Sequence, residues 1–220
     1  MGAGNRRLDA GTPAVTRSSV GSYTRDGARF LTLRYGPGPL DPGLLDEVDA
    51  AIEHADLESS VACIVLRRVD SPGASSPPPA NLPGDVIARR QRLDASIAAA
   101  RRVPKLLVFL LEGTLAGEGI GLLALADIVL ATNESVLRPG GVPAALLGMV
   151  PVLQQRSGGV RSALLCLLEG RDLDALAARH HGLVTDVVPA ERLEPVLDSL
   201  LRGIASAGPT ATAMLKASAK

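Results

Sequence analysis

A chain of 220 residues suits one ordinary domain and is too short for two comfortable ones. Its 46% hydrophobic content can supply a sizeable core, and with aromatics at only 2% that core must be built from Ala, Val, Leu and Ile. Lys plus Arg and Asp plus Glu balance at 23 each. This neutrality gives no electrostatic ground for a nucleic-acid or membrane-surface partner, and it leaves little repulsion to oppose self-association.

Residues 1–20 are small, polar and basic, with no periodicity. They are expected to form a disordered lead-in, leaving residues 21–220 as a single domain. The opening MGAGNRRLDAGTPAV has charge but no apolar stretch of the kind a secretory signal needs. ARFLTLRY, residues 28–35, alternates apolar and polar as a half-buried strand does. GPGPLDPG breaks the chain, and Asp41 with Pro42 offers an N-cap and first turn, after which Leu44, Val48, Ala51 and Ile52 share one helical face. VACIVL, residues 61–66, is a short continuous apolar run, as in a strand covered on both sides. SPGASSPPPANLPG, residues 71–84, reads as a loop longer than the usual connection, hence functional or mobile. A helix is expected over 85–102, then KLLVFLLEG as a buried strand, a Gly-punctuated turn and the small-residue helix GEGIGLLALA. Asp127–Ala131 reads as a strand. Helices follow over 160–169 and 172–181, a strand over Leu183–Val188 and a helix over 190–205. Strands alternating with helices, most strands apolar throughout, predict an α/β domain with a mostly parallel sheet.

Cys63 and Cys166 lie far apart in apolar runs, outside any CxxC or Cys/His ligand pattern. Both read as buried hydrophobes in a reducing compartment, with no metal site. Glu118 and Asp127 interrupt the longest apolar run, so no transmembrane span is expected and the cytoplasm is the expected location.

The glycines after the KLLVFLLEG strand carry a physical suggestion of their own. Gly113 ends a strand, and Ala116-Gly117-Glu118-Gly119 opens a helix with small residues in its first turn. The first amides of a helix have no internal acceptor, and the helix dipole favours negative charge there, so such a turn can hold an oxyanion. The alternative is that the glycines only permit tight helix–strand packing.

PKLLVFLLEGTLAGEGIGLLALADIVLATNESV resembles the crotonase (enoyl-CoA hydratase/isomerase) pattern of Pro, apolar strand, Gly, then AxGGGxxLALAxDIxxA. PAALLGMVP at 143–151 is similar to that family's PEILLGTIP, and LLEGRDLDALAARHHGLVTDVVPAERL to its LTGxxIxAxxAxxxGLVxxVVPxxxL. The resemblance spans roughly residues 28–218. It implies a crotonase-like ββα superhelix with a mostly parallel sheet and a shortened C-terminal helical region. It also implies a coenzyme A thioester as substrate, with no separate cofactor. In that family two backbone amides hold the enolate oxygen. By position they fall at Glu118, between Gly117 and Gly119, and at Ala80 in PPPANL, with Leu82 beside it.

The same resemblance exposes a loss. Hydratases of the family use two glutamates, one to hold or activate water and one to move the proton. The corresponding positions here are Gly121 and Ala144, both counted as acyl-binding positions. The aspartate that some isomerases carry in LVPD is replaced by Val152 in MVPV. No Asp or Glu occurs from Ser135 to Arg161. Glu118 is the sharpest substitute for a catalytic acid, although a carboxylate there repels an enolate unless it points away. Glu112 could face pocket or solvent. His180 and His181 read as a solvated helix end, and Arg138 as a surface residue that could otherwise meet a carboxylate or phosphate.

Two main functional readings follow from the resemblance, with a degenerate fold used only for assembly as a third. One is an acyl-CoA or acyl-carrier enzyme of dehydratase or isomerase type, accessory to secondary metabolism such as polyketide-derived dihydroxyphenylacetyl-CoA formation. The other is an inactive crotonase-like subunit that stabilises or stimulates a partner enzyme. The partners implied are the acyl thioester, a polyketide synthase or second crotonase, and a homo- or hetero-oligomer, with neither nucleic acid nor membrane.

Overall fold

The apolar stretches VACIVL and KLLVFLL supply the two central strands of the larger sheet, where both of their faces can be covered. A computed structural model describes residues 19–25, 27–35, 40, 42–70, 83–140, 148, 150–152 and 171–218. Strands β1 (Ser19–Arg25), β2 (Ala28–Tyr35), β3 (Cys63–Asp70), β4 (Leu106–Leu111), β6 (Ile128–Thr132) and β9 (Asp186–Val188) form one sheet in the order β1-β2-β3-β4-β6-β9. Among the described residues of this sheet only the β1–β2 pair is antiparallel. Strands β5 (Thr114–Ala116), β7 (Val136–Arg138) and β8 (Leu173–Asp174) make a smaller second sheet.

Side chains alternate across β4 because successive residues of a strand point to opposite faces. Leu107, Phe109 and Leu111 enter a large core with helices α1 (Pro42–Leu57) and α2 (Pro83–Arg102) and the 3-10 helix Gly117–Leu125. Val108 and Leu110 enter a second core with Leu193, Leu197, Leu201 and Ile204 of α4 (Leu193–Ser218). Coverage on both faces is the reason that VACIVL and KLLVFLL show no polar alternation.

The chain advances in ββα steps. β4, β5 and the 3-10 helix form one; β6, β7 and the helical residues 148 and 150–152 form the next. Parallel pairing of β4 with β6 and of β5 with β7 stacks the two steps, so their helices become neighbours.

Several boundaries differ from those the sequence suggests. β1 begins at Ser19, two residues inside the expected lead-in, and pairs with β2 along its length. Helix α2 takes Pro83 and Gly84 from the expected loop, since Pro is compatible with a first helical turn. The expected helix over 172–181 is divided into β8 and the shorter α3 (Ala175–His180), where the Asp174 carboxylate accepts the Ala177 amide at 2.7 Å. The strand expected from Leu183 is confined to Asp186–Val188. The last helix runs on to Ser218 through a kink at Gly208 and Pro209. The helix expected over 160–169, and Cys166, lie outside the described residues.

Polar ties lock α4 to the sheet at two places. Lys216 is only 3% exposed, and its ammonium meets Asp127 Oδ2 at 3.0 Å and the carbonyls of Ala100 and Lys105 at 3.0 and 2.9 Å. Near the other end, Arg25 of β1 donates to Asp198 at 2.9 Å, and Arg67 of β3 pairs with both Glu194 and Glu112. Burial pushes the Glu194 carboxyl up, but the Arg67 hydrogen bond and the charges of Arg67 and Arg25 outweigh it and hold the group below its ordinary value. Among the described residues, no helix is long and apolar enough to cross a membrane.

Candidate functional site

The turn between β5 and the 3-10 helix is assembled from backbone rather than side chains. Gly113 (φ 67°) redirects the chain out of β4, and Ala116 is extended. Gly117 then adopts φ 55°, a left-handed conformation costly for a residue with a Cβ. The 3-10 helix begins at this residue, and the amides of Gly117 and Glu118, in its first turn, have no carbonyl within the helix to reach. Glu118, Gly119, Ile120 and Gly121 are all buried.

The second ββα step closes on this turn. A Cβ built on Gly148 would stand 2.2 Å from the Gly117 carbonyl oxygen and 3.3 Å from Ile120 Cβ. Only a glycine lets the helical residues around 148 approach so closely. Carbonyl and amide of one trans peptide point in opposite directions. With its oxygen against Gly148, the Gly117–Glu118 peptide therefore turns the Glu118 N–H away from that helix.

Glu118 is buried and its carboxylate is fully engaged. Arg89 of α2 donates to its two oxygens, Nε to Oε2 at 3.2 Å and Nη2 to Oε1 at 3.1 Å. The backbone N–H of Leu40, just ahead of α1, donates to Oε2 at 2.9 Å. The carboxylate thus points into the interface of α1 and α2 with a bidentate cation, the strong form of such a pair. The sequence made Glu118 the sharpest candidate for a catalytic acid; both oxygens of that carboxylate are instead taken up by Arg89 and Leu40.

The remaining candidates divide clearly. Gly117 and Gly119 lie in the first turn of the 3-10 helix and Gly121 in the next, buried and without a side chain at the position that the resemblance assigns to a first glutamate. Val152 is wholly buried in the same apolar core, where an isomerase aspartate would stand. Ala80, Leu82 and Ala144 lie outside the described residues. Glu112 turns toward the α4 face, its carboxylate 3.0 Å from Arg67 Nε. Arg138 is exposed and pairs with Asp172 at 2.9 Å. His180 and His181 close α3, their rings edge to face at 5.4 Å, with the His181 amide donating to the Ala177 carbonyl. Cys63 is buried, and its thiol is pushed up to about 12 by burial, with the Asp127 charge adding to the effect. Among the described residues, no three His, Cys, Asp or Glu side chains gather as a metal site would require.

Arg89, Leu40 and Gly148 were not singled out from the sequence. Arg89 lies in ARRQR, indistinguishable from a solvated basic face, and the Leu40 contribution is a main-chain amide. Gly148 stands in the LLG that resembles the family motif, the one signal that could have drawn attention to it.

Stacked ββα steps with a glycine-framed helix start facing the next step's helix are the architecture of the crotonase fold. A family model described as enoyl-CoA hydratase/isomerase matches residues 39–220, and the chain belongs to that family. It is similar to the mitochondrial enoyl-CoA hydratase domain-containing protein 3 of Rattus norvegicus, 32% identical over 118 residues that make up 53% of this chain and 39% of that protein. It is also similar to the probable enoyl-CoA hydratase echA12 of Mycobacterium tuberculosis, 32% identical over 158 residues, 65% of this chain and 55% of the other. The chain thus spans less than two thirds of the length of these relatives. The solved structure of a probable enoyl-CoA hydratase from Mycobacterium thermoresistibile matches with a TM-score of 0.74 at 24% identity, covering 90% of this chain and 85% of that one. Human enoyl coenzyme A hydratase domain-containing protein 3 gives 0.74 at 23%, covering 90% and 80%. At these identities the likeness is one of fold.

Proposed function

We propose that the chain binds an acyl-CoA or carrier-bound acyl thioester with the carbonyl oxygen at the Glu118 amide, and that it stabilises an enolate there without two-carboxylate hydration. The observation that carries this reading is the separation of amide from side chain at residue 118. The amide opens a 3-10 helix, while the carboxylate is committed to Arg89 and the Leu40 amide. A preorganised donor aimed at a developing oxyanion is worth on the order of 100- to 1,000-fold in rate. A second donor is expected at Ala80. No Asp or Glu occurs from Ser135 to Arg161, and Gly121 carries no side chain, so a proton must come from the substrate, from water or from a partner. That suits decarboxylation, assisted dehydration or isomerisation. It fits an accessory dehydratase or isomerase of secondary metabolism, cytoplasmic and oligomeric, acting beside a polyketide synthase in dihydroxyphenylacetyl-CoA formation.

The loss of both acid positions also favours a second reading, an inactive subunit that stimulates a partner enzyme. Calorimetry with crotonyl-CoA and 3-hydroxyacyl-CoAs tests the binding, and absorbance assays test turnover, alone and with a polyketide synthase encoded at the same locus. Binding with turnover supports the enzyme. Binding or synthase stimulation without independent turnover supports the subunit. If neither acyl-CoA binding nor stimulation is measured, both readings fall.

A further inference from the structure

A carboxylate next to an oxyanion-binding amide is a liability, because it repels the charge that the amide must hold. The structure surrounds this carboxylate with compensation. Arg89, with its side chain 14% exposed, forms a two-pronged pair with Glu118, whose side chain is 5% exposed. The Leu40 amide supplies a third bond. On the other side of the same residue the Gly117 carbonyl is seated against Gly148. The peptide that bears the Glu118 N–H is therefore held from two directions, through its side chain by α2 and the entry to α1, and through its carbonyl by the next ββα step.

We infer that Arg89 is a positioning residue for the oxyanion turn: it anchors Glu118 so that its amide keeps its aim, and it cancels the negative charge beside the bound carbonyl. This rests on the acyl-thioester reading above. A buried bidentate pair is geometrically demanding, and removing one partner strands the other charge. With Arg89 gone, the residue whose amide holds the oxyanion carries an uncompensated carboxylate. With Glu118 made neutral, Leu40 retains an acceptor and the Arg89 cation remains, which favours the oxyanion. The two substitutions therefore affect a bound carbonyl with opposite sign, whereas a pair that only holds helices together has no such asymmetry.

The test uses the vibrational frequency of a carbonyl-labelled aryl-enoyl-CoA thioester, cinnamoyl-CoA, bound to the full chain, since a polarised carbonyl stretches at lower frequency. Arg89→Met is expected to lose at least half of the wild-type downshift and to bind the thioester about tenfold more weakly, the loss that one weakened hydrogen bond to the carbonyl gives. Glu118→Gln is expected to keep the wild-type downshift or exceed it. It also keeps the proposal testable if Arg89→Met does not fold, because a downshift in Glu118→Gln smaller than wild type overturns the charge argument by itself. A folded Arg89→Met with the wild-type band, or equal losses in both variants, overturns the role of the pair alone. A wild-type complex whose band sits at the position of free thioester overturns the acyl-binding reading and this inference with it.

Discussion

At the level of single residues, the turn at 117–118 depends on two glycines for different reasons. Gly117 needs its freedom to adopt φ 55°, whereas Gly148 needs to lack a side chain because a backbone oxygen occupies the space. Backbone yields less readily than the end of a flexible side chain. Gly148→Ala is therefore expected to lower stability by about 1–3 kcal/mol, as overpacking does, and to weaken acyl-CoA binding; urea unfolding and calorimetry measure the two effects. Cys63 illustrates a reactive atom made inert by its surroundings. Burial, then the Asp127 charge, moves its thiol from an ordinary value of 9.0 to about 12. The folded protein thus keeps the proton over a range in which the unfolded chain has released it. This contribution to stability is intact below pH 9.0 and is lost as pH rises toward about 12. Cys63→Ala should flatten the alkaline limb of a stability–pH profile over that window, and native Cys63 should resist a thiol reagent at neutral pH that labels it after unfolding.

Among the elements, α4 departs furthest from its expected form. Periodicity supports a helix over 190–205, yet the chain continues beyond Gly208 and Pro209 to place Lys216 against Asp127 and two carbonyls. An ammonium with so little exposure is stable only if every direction it faces is paired. Lys216→Met leaves Asp127, the acceptor of the Leu107 amide, without its cation. A loss of about 3 kcal/mol is expected, near the low end for a buried pair because the Asp127 side chain is 23% exposed. In Lys216→Met/Asp127→Asn part of that loss should return, and a double-mutant cycle in urea measures it. The three-residue strands β5 and β7 carry no readable period, and β1, of which only Ser19 and Val20 fall in the expected lead-in, has in SVGSYTR no apolar alternation that marks it as a strand. Pairing with a neighbour, not composition, makes these segments strands.

For the molecule as a whole, chemistry depends on which elements meet. Two-carboxylate hydration would need acids from the 3-10 helix at Gly121 and from the 141–147 segment at Ala144, so one substitution cannot restore it. Gly121→Glu alone is expected to leave crotonyl-CoA hydration at the wild-type level, checked by loss of enoyl absorbance, since a lone acid lacks its proton-transfer partner. Much of the architecture was legible beforehand. The doubly covered strands VACIVL and KLLVFLL, the α/β alternation and the order of motifs through LLEGRDLDALAARHHGLV pointed to the crotonase family. These features are legible because hydrophobic period and spacing are local properties of a chain. The fate of Glu118 was not. From sequence it was a carboxylate in the wrong place; in three dimensions α2 delivers Arg89, the entry to α1 delivers an amide, and Gly148 presses on the peptide behind it. Those partners lie 29, 78 and 30 or so residues away along the chain, and a charge's role is set by what surrounds it in space, which only the tertiary structure decides.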